Sequence, residues 1–212
     1  ELDTWLKASP GALVEHHRAD GAARVDLAAL QPAVAMAHAA HPVEGAHRAL
    51  VRGLGGSRLP ATLLDIELQS YLSKLSANTR SQIRRSLKAY AVLGPLSIAE
   101  AHDEDSALAT LDALRVLHQR RWEARHEPGA FGHGYFATFH RELIQRHFRG
   151  GHIQLLTVYA GDTPIGHLYN LVHGGMIHHY QSGFDYELAG SAVAAQAKPG
   201  LATHALAIAL GT

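Results

Sequence analysis

The sequence predicts a mixed α/β domain, an α+β arrangement in which helices flank a largely antiparallel sheet. Three short apolar segments follow one another near the C-terminal end, and helical patterns precede and follow them. The segments are rich in Leu, Ile, Val, Tyr and Thr, as β-strands are, and span residues 153–160, 165–172 and 176–182. Gly161-Asp162 and Gly174-Gly175 separate them as tight turns, so we predict three sequential antiparallel strands.

The composition is that of a globular protein of 212 residues, long enough for one or two domains with a sizeable core. The formal net charge is zero, which gives no argument for DNA binding. Cysteine is absent, which excludes disulfides and thiolate metal sites and leads us to expect a cytoplasmic location. No apolar segment reaches the length that crosses a bilayer, so we predict no membrane span. The sequence does not indicate an oligomeric state.

Residues 1–58 carry the weakest patterns. Residues 14–17 and 23–27 fit strands or short helical pieces, and the Ala-rich residues 26–38 fit a helix that Pro32 interrupts. Gly53, Gly55 and Gly56 then indicate a loop, and we place a domain boundary after residue 58.

The middle of the chain alternates strands and helices. We predict strands at 59–66 and 96–101, and helices at 67–75, 104–125 and 135–148. A further helix begins after Ser76 or Asn78 as its N-cap and ends near residue 93, before Gly94-Pro95. The helix at 104–125 has an apolar side, and Trp122 is more typical of a core anchor than of a ligand contact. That apolar side comprises Leu108, Leu111, Leu114, Val116 and Leu117.

Basic residues recur on the helix that follows Ser76. Arg80, Arg84 and Lys88 stand at i, i+4 and i+8, with Arg85 beside them. Such a stripe suits phosphates or an anionic acceptor, and it equally suits a solvated helix face.

The seventeen histidines do not form a metal-binding pattern. The neighbours His178 and His179 point to opposite faces of a strand, and His38 and His41 lack further ligands nearby. We predict no metal site and interpret most of these histidines as scattered surface residues.

Several short motifs follow one another in an order that is typical of a known protein family. They are Gly161, Pro164 and Gly166 in the first hairpin; Tyr180-Gln181-Ser182-Gly183-Phe184-Asp185; Pro199-Gly200-Leu201; and, upstream, Arg80, Arg84, Arg85 and His118-Gln119-Arg120-Arg121-Trp122. Over roughly residues 60–212 this order resembles the GNAT acetyltransferases, and more closely the branch of CelD-like and FemAB-like acyl transferases.

The resemblance implies a GNAT-like domain at 59–212 and a bacterial-type N-acyltransferase. The enzyme would move an acyl group, an acetyl group in the simplest case, from acetyl-CoA or another acyl-CoA to a small-molecule or peptidyl amine. FemAB-like proteins have two related halves, so residues 1–58 are interpreted as the tail of a first half. GNAT domains continue beyond their cofactor helix, so we expect the fold to be incomplete after Thr212. Glu1 is not an initiator Met, so we expect it to lie within a longer chain.

The last helix is the expected cofactor site. Pro199-Gly200 opens it, with Leu201, His204, Ala205 and Ile208 on one face. A helix N-terminus offers unpaired amides and a positive dipole end to phosphates, although a Pro-Gly helix start is also an ordinary structural feature. GNAT proteins have more glycine here than this chain's single Gly200. The predicted cofactor-binding residues are Lys198, Pro199, Gly200, Leu201, Ala202, Thr203 and Arg84.

The strand before that helix is the expected catalytic element. In GNAT proteins its distorted counterpart supplies an amide N–H to the thioester carbonyl, and Gly183 marks the expected distortion here. We expect His178, Tyr180 and Ser182 on one face and His179 and Gln181 on the other. The predicted catalytic residues are Tyr180 as acid for the thiolate, His178 (or its neighbour His179) as base, and Asp185 to position the amine. Purely structural roles are the alternative.

Other functions stay open. A FemAB-like transferase would use aminoacyl-tRNA on cell-wall or peptide amines, which a neutral chain disfavours. A non-catalytic GNAT-like module in polysaccharide or envelope synthesis would keep the fold without the chemistry. A serine hydrolase is the weakest alternative, because Gln181-Ser182-Gly183 is only a fragment of a nucleophile elbow.

Overall fold

The computed structural model describes residues 41–42, 55–188 and 197–211. The strands are β1 (His41–Pro42), β2 (Leu59–Pro60), β3 (Leu96–Glu100), β4 (Ile153–Ala160), β5 (Thr163–His173) and β6 (Met176–Phe184). They form one sheet in the order β1-β6-β5-β4-β3-β2, antiparallel at every pair. The predicted class, a mixed α/β domain with a largely antiparallel sheet flanked by helices, is confirmed.

Five helices accompany the sheet among these residues. They are α1 (Asp65–Ser73), α2 (Ala77–Tyr90), α3 (Glu104–Glu123), α4 (Gly134–His147) and α5 (Pro199–Gly211), with short 3₁₀ turns at Ala61–Leu64, Ala91–Leu93 and Ala130–Gly132. Each helix predicted after residue 58 is present, with ends that differ by at most about three residues from those expected.

The meander of β4, β5 and β6 confirms the three predicted sequential strands. Both connections are tight and need glycine, because Gly161, Gly174 and Gly175 have φ values of 58°, 57° and 76°. Side chains of the meander alternate between two cores. On one side Val158 and Leu168 pack with α1, α2 and α5, and on the other Leu155 and Tyr169 pack with α3 and α4. We call these sides the α5 face and the α3 face.

Helix α2 begins as the sequence predicts. The Ser76 side chain accepts a hydrogen bond from the Thr79 amide at 3.2 Å, so Ser76 rather than Asn78 is the N-cap. The helix tightens into a 3₁₀ turn and ends before Gly94, whose φ of 142° a residue with a side chain would rarely adopt.

The predicted strand at 59–66 is wrong. Only Leu59–Pro60 pairs with β3, and the chain then enters a 3₁₀ turn and α1, where Ile66 is 81% exposed. Pro60 has no amide to donate to a sheet, and Asp65 and Glu67 favour a helix N-terminus by their charge. These local preferences outweigh the apolar composition on which the strand was predicted.

Two predicted helix faces need correction. Val116 of α3 is 54% exposed, and His118 lies on the buried side instead. In α5, Leu201, His204 and Ile208 are only half-buried, whereas Ala205 and its neighbours Ala202, Leu206 and Ala209 are buried. The reason is that α5 packs on the sheet and on α1 and α2 together, so more than one stripe is covered.

The strands and helices proposed at 14–17, 23–27 and 26–38 lie outside the described residues. No helix of the described part is long and apolar enough to span a bilayer. In the same part of the chain, no three His, Asp or Glu side chains gather as metal ligands.

Candidate active site

Strand β6 carries a β-bulge at Tyr180. Asn170 of β5 lies opposite His179 and Tyr169 lies opposite Gln181, so Tyr180 is the extra residue of the ladder. The distortion predicted at Gly183 therefore occurs three residues earlier.

Gly183 is required for close packing between β6 and α3, not for the bulge. It pairs regularly with His167, and a Cβ atom built on it would lie 3.0 Å from the Leu114 Cα atom and still closer to the Leu114 carbonyl oxygen. The glycine therefore lets the backbone of α3 rest directly on β6.

The bulge changes which side chains share a face. Residues opposite each other in an antiparallel pair point to the same side, so partners in β5 identify the faces. His178, Tyr180 and Gln181 lie on the α3 face, and His179, Ser182 and Phe184 lie on the α5 face. The predicted grouping of Ser182 with Tyr180, and of Gln181 with His179, is wrong because it assumed unbroken alternation.

Tyr180 belongs to a chain of three polar rings on the α3 face. Its hydroxyl lies 3.2 Å from Nε2 of His140, and the Tyr169 hydroxyl lies 3.3 Å from Nδ1 of the same ring. His140 is 2% exposed, and burial lowers its pKa to about 3, so the imidazole is neutral. One ring nitrogen then donates and the other accepts, which couples the two tyrosines. We call Tyr169, His140 and Tyr180 the ring relay.

The sequence analysis did not identify His140. It occupies the apolar side of α4 with Leu143 and Ile144, at i+3 and i+4, and that spacing is the signal by which it could have been found.

The other two predicted catalytic residues lie at different depths. His178 is buried, and its Nδ1 atom has no hydrogen-bond partner among the described residues. Asp185 follows β6, and its Oδ1 atom accepts hydrogen bonds from the amides of Glu187 and Leu188 at 3.0 and 2.9 Å. Asp185 therefore shapes the turn after β6 and leaves Oδ2 outside these two bonds.

The start of α5 is fixed by α2. The Lys198 amide donates to Ser86 Oγ at 2.9 Å, and Ser86 Oγ donates to the Lys198 carbonyl at 2.8 Å. The Lys198 ammonium donates to Gln82 Oε1 at 2.7 Å. Ser86 is buried on the inner side of α2, a polar interruption in an apolar face that the sequence analysis overlooked.

Two amides at the start of α5 lack a hydrogen-bond partner in the described part of the chain. The Ala202 amide donates to the Lys198 carbonyl at 3.2 Å, whereas the amides of Gly200 and Leu201 have no partner among the described residues. A Cβ atom on Gly200 would lie 3.3 Å from the Phe184 ring, so the start of α5 touches the end of β6.

The remaining predicted cofactor-binding residues differ in position. Pro199, Ala202 and Thr203 are buried, and the Thr203 hydroxyl faces Gly166, where a Cβ atom would lie 2.8 Å away. Arg84 projects from α2 about 160–200° around the helix from Gln82 and Ser86, and its guanidinium donates to Gln69 at 2.8 Å. The structure thus brings Lys198, Gly200 and Leu201 together at the helix start and does not bring Arg84 there.

The string His118–Trp122 ties α3 to the turn after β6. The Trp122 indole donates to His118 Nε2 at 2.9 Å, and Trp122 itself is only half-buried. Arg120 pairs with Glu187 at 3.0 Å, and the Arg121 guanidinium lies 4.4 Å from the centre of the Tyr186 ring. These contacts hold the turn that follows the bulged strand.

A bulged strand followed by a helix whose first amides have no partner among the described residues is the arrangement that the resemblance to acetyltransferases implied. Residues 77–209, more than half of the chain, match the family model described as acetyltransferase (GNAT) domain. The chain therefore belongs to the GNAT acetyltransferase family, and it is an acyltransferase. Membership in the CelD-like and FemAB-like branch stays a prediction. A comparison with curated proteins finds no significant match, and a comparison with solved structures finds none.

Proposed function

We propose that the protein is an N-acyltransferase that moves an acyl group, an acetyl group in the simplest case, from acyl-CoA to an amine. One observation supports this most strongly. The bulged strand β6 ends at Phe184, and the Phe184 ring contacts Gly200 at the start of α5. The proposed thioester site on β6 and the proposed phosphate site on α5 are therefore adjacent.

The phosphate end is the start of α5. The amides of Gly200 and Leu201 and the positive end of the helix dipole suit the cofactor pyrophosphate. Lys198 adds a cation whose position Gln82 and Ser86 set.

The thioester end is the outer edge of β6. Among the described residues, β6 pairs with β1 only at Met176 and Ile177, so residues 178–184 pair along one edge alone. Amides on the edge that no described residue pairs with suit the oxyanion that forms when the amine attacks the thioester carbonyl. In that reaction a C–N bond forms and the C–S bond breaks. The amine loses a proton and the leaving thiolate gains one.

Side chains on or next to β6 supply candidates for the proton transfers. Tyr180 is the proposed acid for the thiolate, and its hydroxyl is already held by His140. His178 remains the candidate base, and Oδ2 of Asp185 the candidate contact to the amine.

Calorimetry with acetyl-CoA tests the proposal, with free CoA and longer acyl-CoAs for comparison. In Gly200→Val, the branched side chain would press on Phe184 and cover the helix start, so we expect affinity to fall at least about tenfold. The matched control is Gly134→Val at the start of α4, where a Cβ atom meets nothing within 4 Å. Absence of binding by the wild type would instead favour the aminoacyl-tRNA or non-catalytic alternatives.

A salt titration separates the two candidate cations. Lys198→Ala should weaken acetyl-CoA binding and flatten its dependence on salt, because Lys198 stands at the helix start. Arg84→Ala should change neither, because Arg84 lies on the other side of α2. The reverse result would restore Arg84 to the predicted site and remove Lys198 from it.

A further inference from the structure

A chain of buried polar side chains crosses four strands on the α5 face. Gln154 Nε2 donates to Glu100 Oε2 at 3.0 Å, and Asn170 Nδ2 donates to Gln154 Oε1 at 2.9 Å. Asn170 Oδ1 then lies 3.1 Å from His179 Nδ1. Glu100, Gln154 and Asn170 are 2%, 1% and 4% exposed, so water does not compete for these bonds. We call these four residues the polar ladder.

The direction of every bond in the polar ladder follows from its first member. A carboxylate only accepts hydrogen bonds, so Gln154 must turn its NH₂ group toward Glu100. The Gln154 oxygen then faces Asn170, which must present its own NH₂ group there. The Asn170 oxygen is left for His179, so Nδ1 of His179 must carry the hydrogen and Nε2 must carry the lone pair.

His179 stands next to the proposed site, on the face of β6 opposite to Tyr180 and His178. It immediately precedes the extra residue of the β6 bulge. Its ring centre lies 4.6 Å from that of His204, which in turn lies 5.8 Å from the Phe184 ring against the start of α5. No described residue forms a hydrogen bond with Nε2 of His179.

The imidazole of His179 stays neutral in this place. Burial, and second the neighbouring His204, lower the pKa of His179 to about 3. A neutral ring keeps its lone pair for a hydrogen bond and is too weakly basic to take up a whole proton near neutral pH.

We propose that the polar ladder presets His179 as the Nδ1–H tautomer, so that Nε2 accepts a hydrogen bond from the N–H of the attacking amine. His179 is then a catalytic residue that orients the amine, and Glu100, Gln154 and Asn170 are positioning residues. The role at the amine rests on the proposed acyl transfer, whereas the tautomer does not.

The tautomer is tested first, by NMR of the isotope-labelled histidine nitrogens in the wild-type protein. The His179 signal is identified by its loss in His179→Asn. We expect a protonated Nδ1 and an unprotonated Nε2. A protonated Nε2 in the wild type would overturn the proposal without any engineered change.

Glu100→Gln tests whether Glu100 fixes which atoms donate and which accept along the polar ladder. The substitution keeps the size of the side chain but lets it donate as well as accept, so the ladder loses its fixed direction and His179 should populate both tautomers. Thr157→Val is the control, because it removes a buried hydroxyl paired with His167 at 2.9 Å on the α3 face and should leave the His179 tautomer unchanged. A single unchanged tautomer in Glu100→Gln would show that Glu100 does not set it.

Kinetics with acetyl-CoA and an accepted amine test the role. We expect Glu100→Gln to lower kcat in proportion to the fraction of His179 that leaves the Nδ1–H tautomer, about twofold for an even mixture, with the KM for acetyl-CoA unchanged. Wild-type kcat in Glu100→Gln despite mixed tautomers would reject the role at the amine. Failure of the wild type to bind acetyl-CoA would reject the proposed function, and the NMR result would remain valid beside it.

Discussion

The two faces of the sheet bury hydrogen-bonded chains of different kinds. The polar ladder on the α5 face consists of a carboxylate, two amides and one imidazole, and the carboxylate fixes the direction of every bond. The ring relay on the α3 face consists of two hydroxyls around an imidazole, and each member can donate or accept. A chain of fixed direction can orient a group, whereas a reversible chain can pass a proton. Both chains reach β6, at His179 and Tyr180.

The largest expected effect is on stability in acid, and it probes both chains. Burial lowers the pKa of His140 and His179 to about 3, whereas the unfolded chain takes up protons near pH 6.5. Because these folded-state pKa values are depressed, this stability is complete above about pH 6.5 and is lost as the pH falls toward the folded values. Each histidine should lower the free energy of unfolding by about 1.4 kcal/mol for every pH unit below about 6.5, down to its folded-state pKa.

Urea unfolding at several pH values measures this loss. The slope of the unfolding free energy against pH counts the protons that are taken up on unfolding. His140→Leu on the α3 face and His179→Asn on the α5 face should each reduce that slope by about one proton. Equal slopes in the wild type and both variants would contradict the neutral, buried state of the two rings.

The next effect is on catalysis through the ring relay. Tyr180→Phe removes the proposed donor to the thiolate, so we expect kcat to fall about 100-fold while the affinity for acetyl-CoA is kept. Single-turnover kinetics and calorimetry on the same protein measure the two quantities. Wild-type turnover in this variant would make Tyr180 a core residue and leave no reason to interpret the α3 face as a proton path.

The smallest effect concerns the far end of the same relay. Tyr169→Phe removes a hydroxyl that, in the described part of the chain, hydrogen-bonds to His140 alone, so kcat should fall about threefold, as for one neutral hydrogen bond. A solvent isotope effect on kcat should shrink in Tyr169→Phe and stay constant in Thr157→Val. If Tyr169→Phe were as damaging as Tyr180→Phe, the relay would act as one inseparable unit.

Periodicity and turn residues were sufficient to predict most of the fold. The meander, the glycine turns and the Ser76 cap depend on neighbours within a few residues, which is why they could be predicted. The strand at 59–66 failed because an apolar composition does not distinguish a strand from a 3₁₀ turn followed by a helix.

The site was predicted only in part, because its geometry depends on distant contacts. Motif order was enough to choose Tyr180 and the start of α5 as candidates. Ser86, however, meets Lys198 across 112 positions, and His140 meets Tyr180 across 40. The bulge could not be inferred from β6 alone, since it exists only relative to the register of β5. Arg84 was placed at the cofactor because helical spacing shows which residues share a face but not which way the face points.

The extra residue in β6 reverses which side chains face α5 in the rest of the strand. Before Tyr180, odd-numbered residues such as Ile177 and His179 face α5, and after it even-numbered ones, Ser182 and Phe184, do so. Smoothing the bulge while keeping every residue would turn Phe184 away from Gly200 and separate the two ends of the proposed site. Deleting Tyr180 would keep Phe184 in place but remove the whole Tyr180 ring, with its contacts to Phe136, His140 and Tyr169. The contact between Phe184 and Gly200 therefore depends on the presence of one extra residue in β6 and not on the chemistry of its side chain.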